Sequence, residues 1–232
     1  MTRAACIDHL VVAAASLDEG VAWCEATLGV APGPGGAHAL FGTHNRLLRL
    51  QSAAHPQAYL EIIAIDPTAT PTRPPTLRRW FDLDDPALRQ RLADEGPQLI
   101  HWVASVPDIE AAGARLRALG IERGPVIEAS RPTPQGLLRW RISVRDDGQR
   151  LFGGALPTLI QWSDTHPADG MAPATLSLQA LHLQHPDADR LQAALDAIGF
   201  HGAHVQAGPA GLRADLGNPS GEPLALIHTE PA

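Results

Sequence analysis

Two stretches of the chain, CIDHLVVAAASLDEGVAWCEATLG (Cys6–Gly29) and LIHWVASVPDIEAAGARLRALG (Leu99–Gly120), share one design. Each opens with an apolar run that contains one histidine, His9 or His101, and continues through small residues into an acidic residue. A helical repeat of apolar positions follows in both and ends at a glycine, the residue that left-handed helix caps favour. The sequence therefore predicts a strand and then a helix, written twice.

Strand-like segments follow each copy. They are AHALFGTHNRLLRLQS (37–52) and AYLEIIAID (58–66) after the first, and LLRWRISV (137–144) and PTLIQWSD (157–164) after the second. Each copy is thus predicted to be a βαβββ unit. A weaker third copy begins at LSLQALHLQHPDADRLQ (176–192) and is expected to be one strand short, with a hairpin turn at 218–221. The predicted domains are a first unit (1–66), a linker with a short helix (67–97), a second unit (98–165) and a degenerate third unit (174–232).

Such a unit exposes one sheet face and needs a partner. The prediction is an α+β fold in which two tandem βαβββ units curl a mixed sheet around a shared cleft, with a degenerate third unit beside it. The segment between the units, which contains Trp80 and Phe81, has two interpretations: a surface connector, or a lid over the cleft.

Composition narrows the function. The net charge of -7, with both signs interspersed, argues against nucleic-acid binding. No apolar run approaches the length of a membrane span, so a cytoplasmic protein is expected. The predicted cleft between the units favours a small molecule as the partner. A further expectation is a homodimer, in which the exposed sheet of the third unit pairs with another subunit.

The order and repetition of these segments resemble the vicinal-oxygen-chelate superfamily, which includes glyoxalases, bleomycin-resistance proteins and extradiol dioxygenases. The sequence is most similar to the glyoxalase-like domain proteins, on the stretches GTHNRLLRL, YLEIIAID, SRPTPQGLLRWR and PTLIQW. In metal-using members of the superfamily, the first and last strands of each unit supply the ligands. The resemblance thus implies a metal held by His9, Glu61, His101 and Gln161.

These positions are unusual for buried strands. Glu61 interrupts an apolar strand, where an unpaired carboxylate would cost several kcal/mol and a divalent metal would remove that cost. Two histidines and one carboxylate suit Fe, Mn, Ni or Zn. The alternative is a polar network of the same four residues with no cofactor. Because the amide of Gln161 cannot accept a proton, Glu61 is the candidate catalytic base.

Four further residues are candidate substrate contacts. His44 and Asn45 lie in GTHN (42–45), which is also typical of a simple turn. Arg131 and Arg139 lie in SRPTPQGLLRWRI (130–142), where an arginine can bind a substrate carboxylate or remain a solvated surface residue.

Two functions remain open. The first is a divalent-metal-dependent enzyme, of the lyase, isomerase or dioxygenase type, that acts on a small molecule with adjacent oxygens. The second is a metal-free protein that binds a small molecule or an antibiotic. In the second case, the polar residues of the cleft should be hydrogen-bonded to one another and should not converge on one point.

Overall fold

The computed structural model describes residues 4–133, 136–218, 221 and 223–230. It has the α+β architecture that the sequence predicts. The first unit contains β1 (Cys6–Ala13), α1 (Leu17–Leu28), β2 (Ala37–His38), β3 (Thr43–Arg49) and β4 (Tyr59–Ile65). The linker contains α2 (Pro86–Glu95). The second unit contains β5 (Gln98–Ser105), α3 (Ile109–Ala118), β6 (Val126–Thr133), β7 (Gly136–Ser143) and β8 (Thr158–Trp162). The third contains β9 (Ser177–His185), α4 (Ala188–Ala197), β10 (His204–Ala207), β11 (Gly211–Gly217) and β12 (Leu224–Thr229).

The first two units begin their helices in the same way. The side chain of Ser16 accepts a hydrogen bond from the backbone N–H of Glu19 at the start of α1. At the matching position in α3, Asp108 accepts from Ala111. These side chains satisfy helix N–H groups that have no partner within the helix. Ser16 and Asp108 are each seven residues after the repeated histidine, so the caps confirm the alignment of the two copies.

The two units share one eight-stranded sheet, in the order β2-β3-β4-β1-β5-β8-β7-β6. Its two central strands, β1 and β5, run antiparallel, and each pairs in parallel with the last strand of its own unit. The sheet curls so far that Arg131, on the edge strand β6, packs against the backbone of Gly36 beside the opposite edge. One face of this sheet therefore encloses a cleft.

A β-bulge in β1 changes which side chains face the cleft. Ile7 pairs with Ala104 and His9 pairs with Val103, so Asp8 is the extra residue between them. The bulge shifts the in-out alternation by one. Ile7 consequently packs in the core beneath the helices, whereas unbroken two-residue alternation would place Ile7 and His9 on the same face.

The third unit has a four-stranded sheet of its own, in the order β10-β9-β11-β12. It is therefore not one strand short: β10 is a strand that the sequence analysis missed, because its four residues are mostly exposed and carry no apolar alternation. In the third unit the first strand, β9, pairs with β10 and β11. In the first unit the first strand, β1, pairs with the last strand, β4. In the predicted hairpin turn, Pro219 and Ser220 lie outside the described residues.

Apolar side chains form two clusters, one on each face of the large sheet. The larger joins α1, α3 and the third unit with its α4 to the convex face, through Trp102 of β5 and Leu181 of β9 among others. The smaller fills the concave face and includes Trp80 and Phe81 from the linker. In the described part of the chain, no helix is both long and apolar enough to cross a membrane.

Candidate functional site

A narrow cleft with a cavity volume of about 30 Å³, open to solvent at its mouth, lies on the concave face of the large sheet. Its polar lining comes mainly from the first unit, and its apolar walls come from the linker and the second unit. The residues that line it include His9, His38, Asn45, Glu61, Trp80 and Arg131.

Glu61 is the centre of a hydrogen-bonded network at the bottom of this cleft. Its strand β4 lies between β1 and β3, so neighbours on both sides reach its carboxylate. Oε1 accepts a hydrogen bond from Nδ2 of Asn45 at 2.6 Å and lies 3.9 Å from Nε2 of His38. Oε2 lies 3.5 Å from Nε2 of His9. The carboxylate is buried, yet it is not unpaired.

His9 lies between two carboxylates. Its Nδ1 is 2.6 Å from Oδ1 of Asp8, and its ring stacks on Tyr59 with a centroid distance of 4.6 Å. The contact with Asp8 is possible because the bulge turns that residue toward the cleft side. Asp8 therefore fixes the ring of His9, with Nε2 directed at Glu61.

Asp8 connects the two units. Its Oδ2 accepts a hydrogen bond from Nε1 of Trp162 at 2.7 Å and lies 3.1 Å from Nε2 of His166. Since Nδ1 of His166 accepts the backbone N–H of Ala168, its Nε2 carries the hydrogen and donates to Asp8. The buried carboxylate of Asp8 thus binds His9 of the first unit, Trp162 of the second unit, and His166 in the turn that follows the second unit.

Their surroundings give His9 and His38, both in the cleft, different charge states at neutral pH. Burial alone would lower the pKa of His9, but its hydrogen bonds to Asp8 and Glu61 and their charges raise it to about 9. Burial would likewise raise the pKa of Glu61, but His9 chiefly lowers it to about 2. Burial lowers the pKa of His38 to about 4. At neutral pH the site holds a charged His9–Glu61 pair and a neutral His38.

The stability of the protein should peak near pH 6.5. Above that pH, the folded state keeps the proton of His9 and the unfolded state loses it, so stability falls until the pH passes about 9. Below pH 6.5 the unfolded state takes up protons that the neutral folded-state side chains of His38 and His101 refuse, so stability falls there too. Each such group contributes a slope of about 1.4 kcal/mol per pH unit.

Urea unfolding measured from pH 5 to 9 tests this expectation. His9→Gln should flatten the alkaline limb of the stability curve, whereas His201→Gln, at an exposed histidine, should leave the curve unchanged. A stability that does not change between pH 6.5 and 9 would contradict the assignment.

The register of the second unit corrects one predicted ligand. In the first unit Glu61 pairs with Val11, two residues after His9, and in the second Thr158 pairs with Val103, two residues after His101. Thr158, and not Gln161, therefore corresponds to Glu61. Sequence comparison missed this because β8 offers an amide three residues later in a similar apolar run.

Gln161 points away from the cleft. Its Oε1 accepts a hydrogen bond from the backbone N–H of Ile109, at the first turn of α3. Its neighbours Ile160 and Trp162 line the cleft, as alternation along β8 requires. Gln161 is thus a helix-capping residue.

His101 also has no free nitrogen for a metal. Its Nδ1 lies 3.0 Å from the carbonyl oxygen of Gly154, to which it donates. Its Nε2 accepts the backbone N–H of Thr158 at 3.1 Å and lies 3.0 Å from the hydroxyl of the same residue. Burial and two nearby arginines, Arg123 and Arg150, keep its pKa well below the usual value. His101 is a neutral, fully hydrogen-bonded side chain.

The predicted substrate contacts divide in the same way. Asn45 and Arg131 line the cleft. His44, the neighbour of Asn45 on β3, lies on the other face of the strand with Nδ1 3.9 Å from Asp66. Arg139 is exposed on the opposite face of β7 from Trp140, which lines the cleft.

The four predicted ligands therefore do not form one set. His9 and Glu61 come together, but Gln161 points away and both nitrogens of His101 are used within the protein. Among the described residues, no group of three or more His, Cys, Asp or Glu side chains is arranged to hold a metal ion. The donors present do not fit the metal centre that the resemblance implies.

Three residues of the site, Asp8, His38 and His166, were not predicted from the sequence. Asp8 was not singled out because a bulge leaves no mark in the apolar pattern. His38 lies on a strand of two residues, and His166 begins a short turn (Pro167–Gly170), so neither lies in a periodic segment. The neighbouring Trp80 and Phe81 fit the second interpretation of the linker, because they form a wall of the cleft.

The duplicated units, the curled sheet and the cleft on its concave face define a protein of the vicinal-oxygen-chelate fold, the class that the sequence resembles. A family model described as "Glyoxalase-like domain" matches residues 7–199. The chain belongs to this family of glyoxalase-like domain proteins.

Several solved structures are similar to this chain. A hypothetical protein from Staphylococcus aureus matches with a TM-score of 0.57 at 14% identity, covering 99% of this chain and 87% of that one. A methylmalonyl-CoA epimerase from Streptomyces coelicolor, in complex with 2-nitronate-propionyl-CoA, has a TM-score of 0.39 at 20% identity and covers 71% of this chain and 100% of its own. The methylmalonyl-CoA epimerase from Mycobacterium tuberculosis has a TM-score of 0.39 at 18% identity, with 71% and 91% covered. No curated protein matches the chain.

Proposed function

We propose that this protein binds a small organic molecule with an apolar body and a carbonyl or carboxylate group in the cleft, without a divalent metal held by the four predicted ligands. The observation that carries the proposal is the network itself: the polar groups at the bottom of the cleft bond to one another and leave no shared coordination point. This is the pattern expected of the metal-free alternative.

Hydrogen-bond donors favour an acceptor-bearing ligand. Nε2 of His9 has only a long contact, 3.5 Å, with Glu61. The indole N–H of Trp80 is buried and has no hydrogen-bond partner among the described residues. Arg131 adds a positive charge at the edge of the cleft, and none of the described carboxylates forms an ion pair with it. A carbonyl or carboxylate oxygen would satisfy such donors.

The walls favour an apolar body. Trp80 stacks on Phe41 with a centroid distance of 3.9 Å, and Trp140 packs against Trp162 on the neighbouring strand with a centroid distance of 5.6 Å. Aromatic walls with a few placed polar groups are typical of small-molecule sites. The ligand class we favour is therefore a small carboxylic acid or 2-oxo acid with an apolar body.

Tryptophan fluorescence and calorimetry with a panel of such acids test the proposal. The acids should quench the fluorescence of the cleft tryptophans and bind, whereas the matching methyl esters should bind at least tenfold more weakly. Arg131→Met should weaken the binding of the acids by about tenfold, the loss of one charged hydrogen bond. Gln161→Ala, on the other side of the sheet, is the matched control and should bind normally.

The metal is tested in the same assay. Protein treated with a chelator and dialysed should bind the acids as tightly as protein supplied with Fe(II), Mn(II), Ni(II) or Zn(II), and these ions should not raise its melting temperature. Binding that requires one of these ions would overturn the proposal.

A second candidate function is proton transfer at a carbon beside the ligand's carbonyl. The observation that favours it is the His9–Glu61 pair, in which a protonated imidazole held by Asp8 faces a carboxylate. The imidazolium could stabilise a developing enolate oxygen while Glu61 accepts the carbon-bound proton. Exchange of that proton for deuterium, followed by NMR, tests it: Glu61→Gln should abolish the exchange and retain binding of the ligand.

A further inference from the structure

The second unit contains a buried arginine that the cleft does not use. Arg123 follows α3 and is 4% exposed. Its Nη2 donates to the hydroxyl of Thr158, while Nε and Nη1 are buried without a hydrogen-bond partner among the described residues. Burial and the neighbouring Arg145 lower the pKa of this guanidinium to about 10, so it remains charged at neutral pH. A buried cation with unpaired donors is costly and calls for a function.

Comparison of the two units explains why no carboxylate among the described residues accepts a hydrogen bond from Arg123. Thr158 occupies the position of Glu61, and it lies beside His101 as Glu61 lies beside His9. The first half of the duplicated site therefore contains carboxylates, whereas the second contains a neutral hydroxyl, a neutral histidine and Arg123. The charges of Asp82 and Asp147 act on Arg123, but these two carboxylates form their ion pairs with Arg150 and Arg145. Among the described residues, no carboxylate forms a hydrogen bond with Arg123.

Phe81 forms a wall shared by the cleft and this positive half. It lines the cleft, and its ring lies 5.3 Å from the ring of His101. Phe81 and Asp82 both have left-handed backbones, with φ of 60° and 59°. Non-glycine residues in this region carry strain. The ion pair of Asp82 with Arg150, at 2.9 Å, holds the segment in place.

We propose that Arg123 and Thr158 form a second ligand site, which binds the carboxylate group of a small molecule when Phe81 moves aside. The carboxylate would accept hydrogen bonds from the unpaired N–H groups of Arg123 and neutralise its charge. Movement of Phe81 would release the strained backbone of the segment. This site is separate from the polar network around Glu61, and it does not require the function proposed for the cleft.

Formate, the smallest carboxylate, is the probe. At constant ionic strength, formate should raise the melting temperature of the full chain in a saturable manner, by about 2–4 °C at a few times its Kd. Arg131→Met, which removes the arginine at the edge of the cleft and so suppresses formate binding there, should retain a saturable rise. Adding Arg123→Met to Arg131→Met should abolish that rise. Chloride at the same ionic strength should produce no saturable rise.

A second variant keeps the test open if Arg123→Met does not fold. Added to Arg131→Met, Phe81→Ala leaves the guanidinium of Arg123 intact and removes the shared wall, so formate should bind at least tenfold more tightly than to Arg131→Met alone. The proposal is overturned by any of four results: no saturable rise in Arg131→Met, an equal rise with chloride, a rise that survives the addition of Arg123→Met to Arg131→Met, or unchanged formate binding when Phe81→Ala is added to Arg131→Met.

Discussion

Replacing Asp8 by alanine is expected to destabilise the protein by about 3–5 kcal/mol, the cost of breaking a buried ion pair by removing one partner. The carboxylate accepts from three side chains, His9, Trp162 and His166, and its own side chain is fully buried. Without the carboxylate of Asp8, a protonated His9 would face only Glu61. The side-chain N–H groups of Trp162 and His166 would also lose their acceptor. Urea unfolding at pH 6.5 measures the loss.

Asp164→Ala provides the control. Asp164 is exposed and lies two residues after Trp162, so its removal should change stability by no more than about 0.5 kcal/mol. The Asp8 variant should also have a lower pKa at His9, visible in the NMR titration of that ring. A loss below about 1 kcal/mol would mean that Asp8 does not connect the two units as described.

The fold was predictable because it is written in repeated local patterns. The apolar run of β1, the cap at Ser16 and the stop at Gly29 recur 91 or 92 residues later, as β5, Asp108 and Gly120. Periodicity and caps are determined by neighbouring residues, so a single sequence reveals them. The resemblance to the superfamily rests on that same order.

Half of the site was predictable and half was not. Glu61 stands out because a carboxylate interrupts an apolar strand, and His9 because it lies in a buried run. Asp8 does not stand out, since a bulge depends on pairing with β5, which is distant in sequence. Gln161 was misplaced because the register of β8 against β5 also depends on non-local pairing. A shift of three residues reverses the face of a strand residue.

The third unit should prove inseparable from the rest of the fold, and Trp102→Ala is expected to show it. Trp102 on β5 is fully buried, donates its indole N–H to the carbonyl oxygen of Ala155 at 2.8 Å, and packs against Phe200 with a centroid distance of 4.8 Å. Phe200 follows α4, so this contact joins the third unit to the convex face of the large sheet. Its removal should cost about 3–5 kcal/mol.

The shape of the unfolding curve shows whether the third unit unfolds together with the large sheet. Because the third unit shares one apolar core with the sheet, the unchanged protein and Trp102→Ala should both unfold in a single transition, with the midpoint lowered in the variant. Trp23→Ala, at a partly exposed tryptophan on α1 that packs at the edge of the same core, should cost clearly less. Two separate transitions in the variant would instead mean that the third unit folds as a domain of its own, and that Trp102 is only a contact between domains.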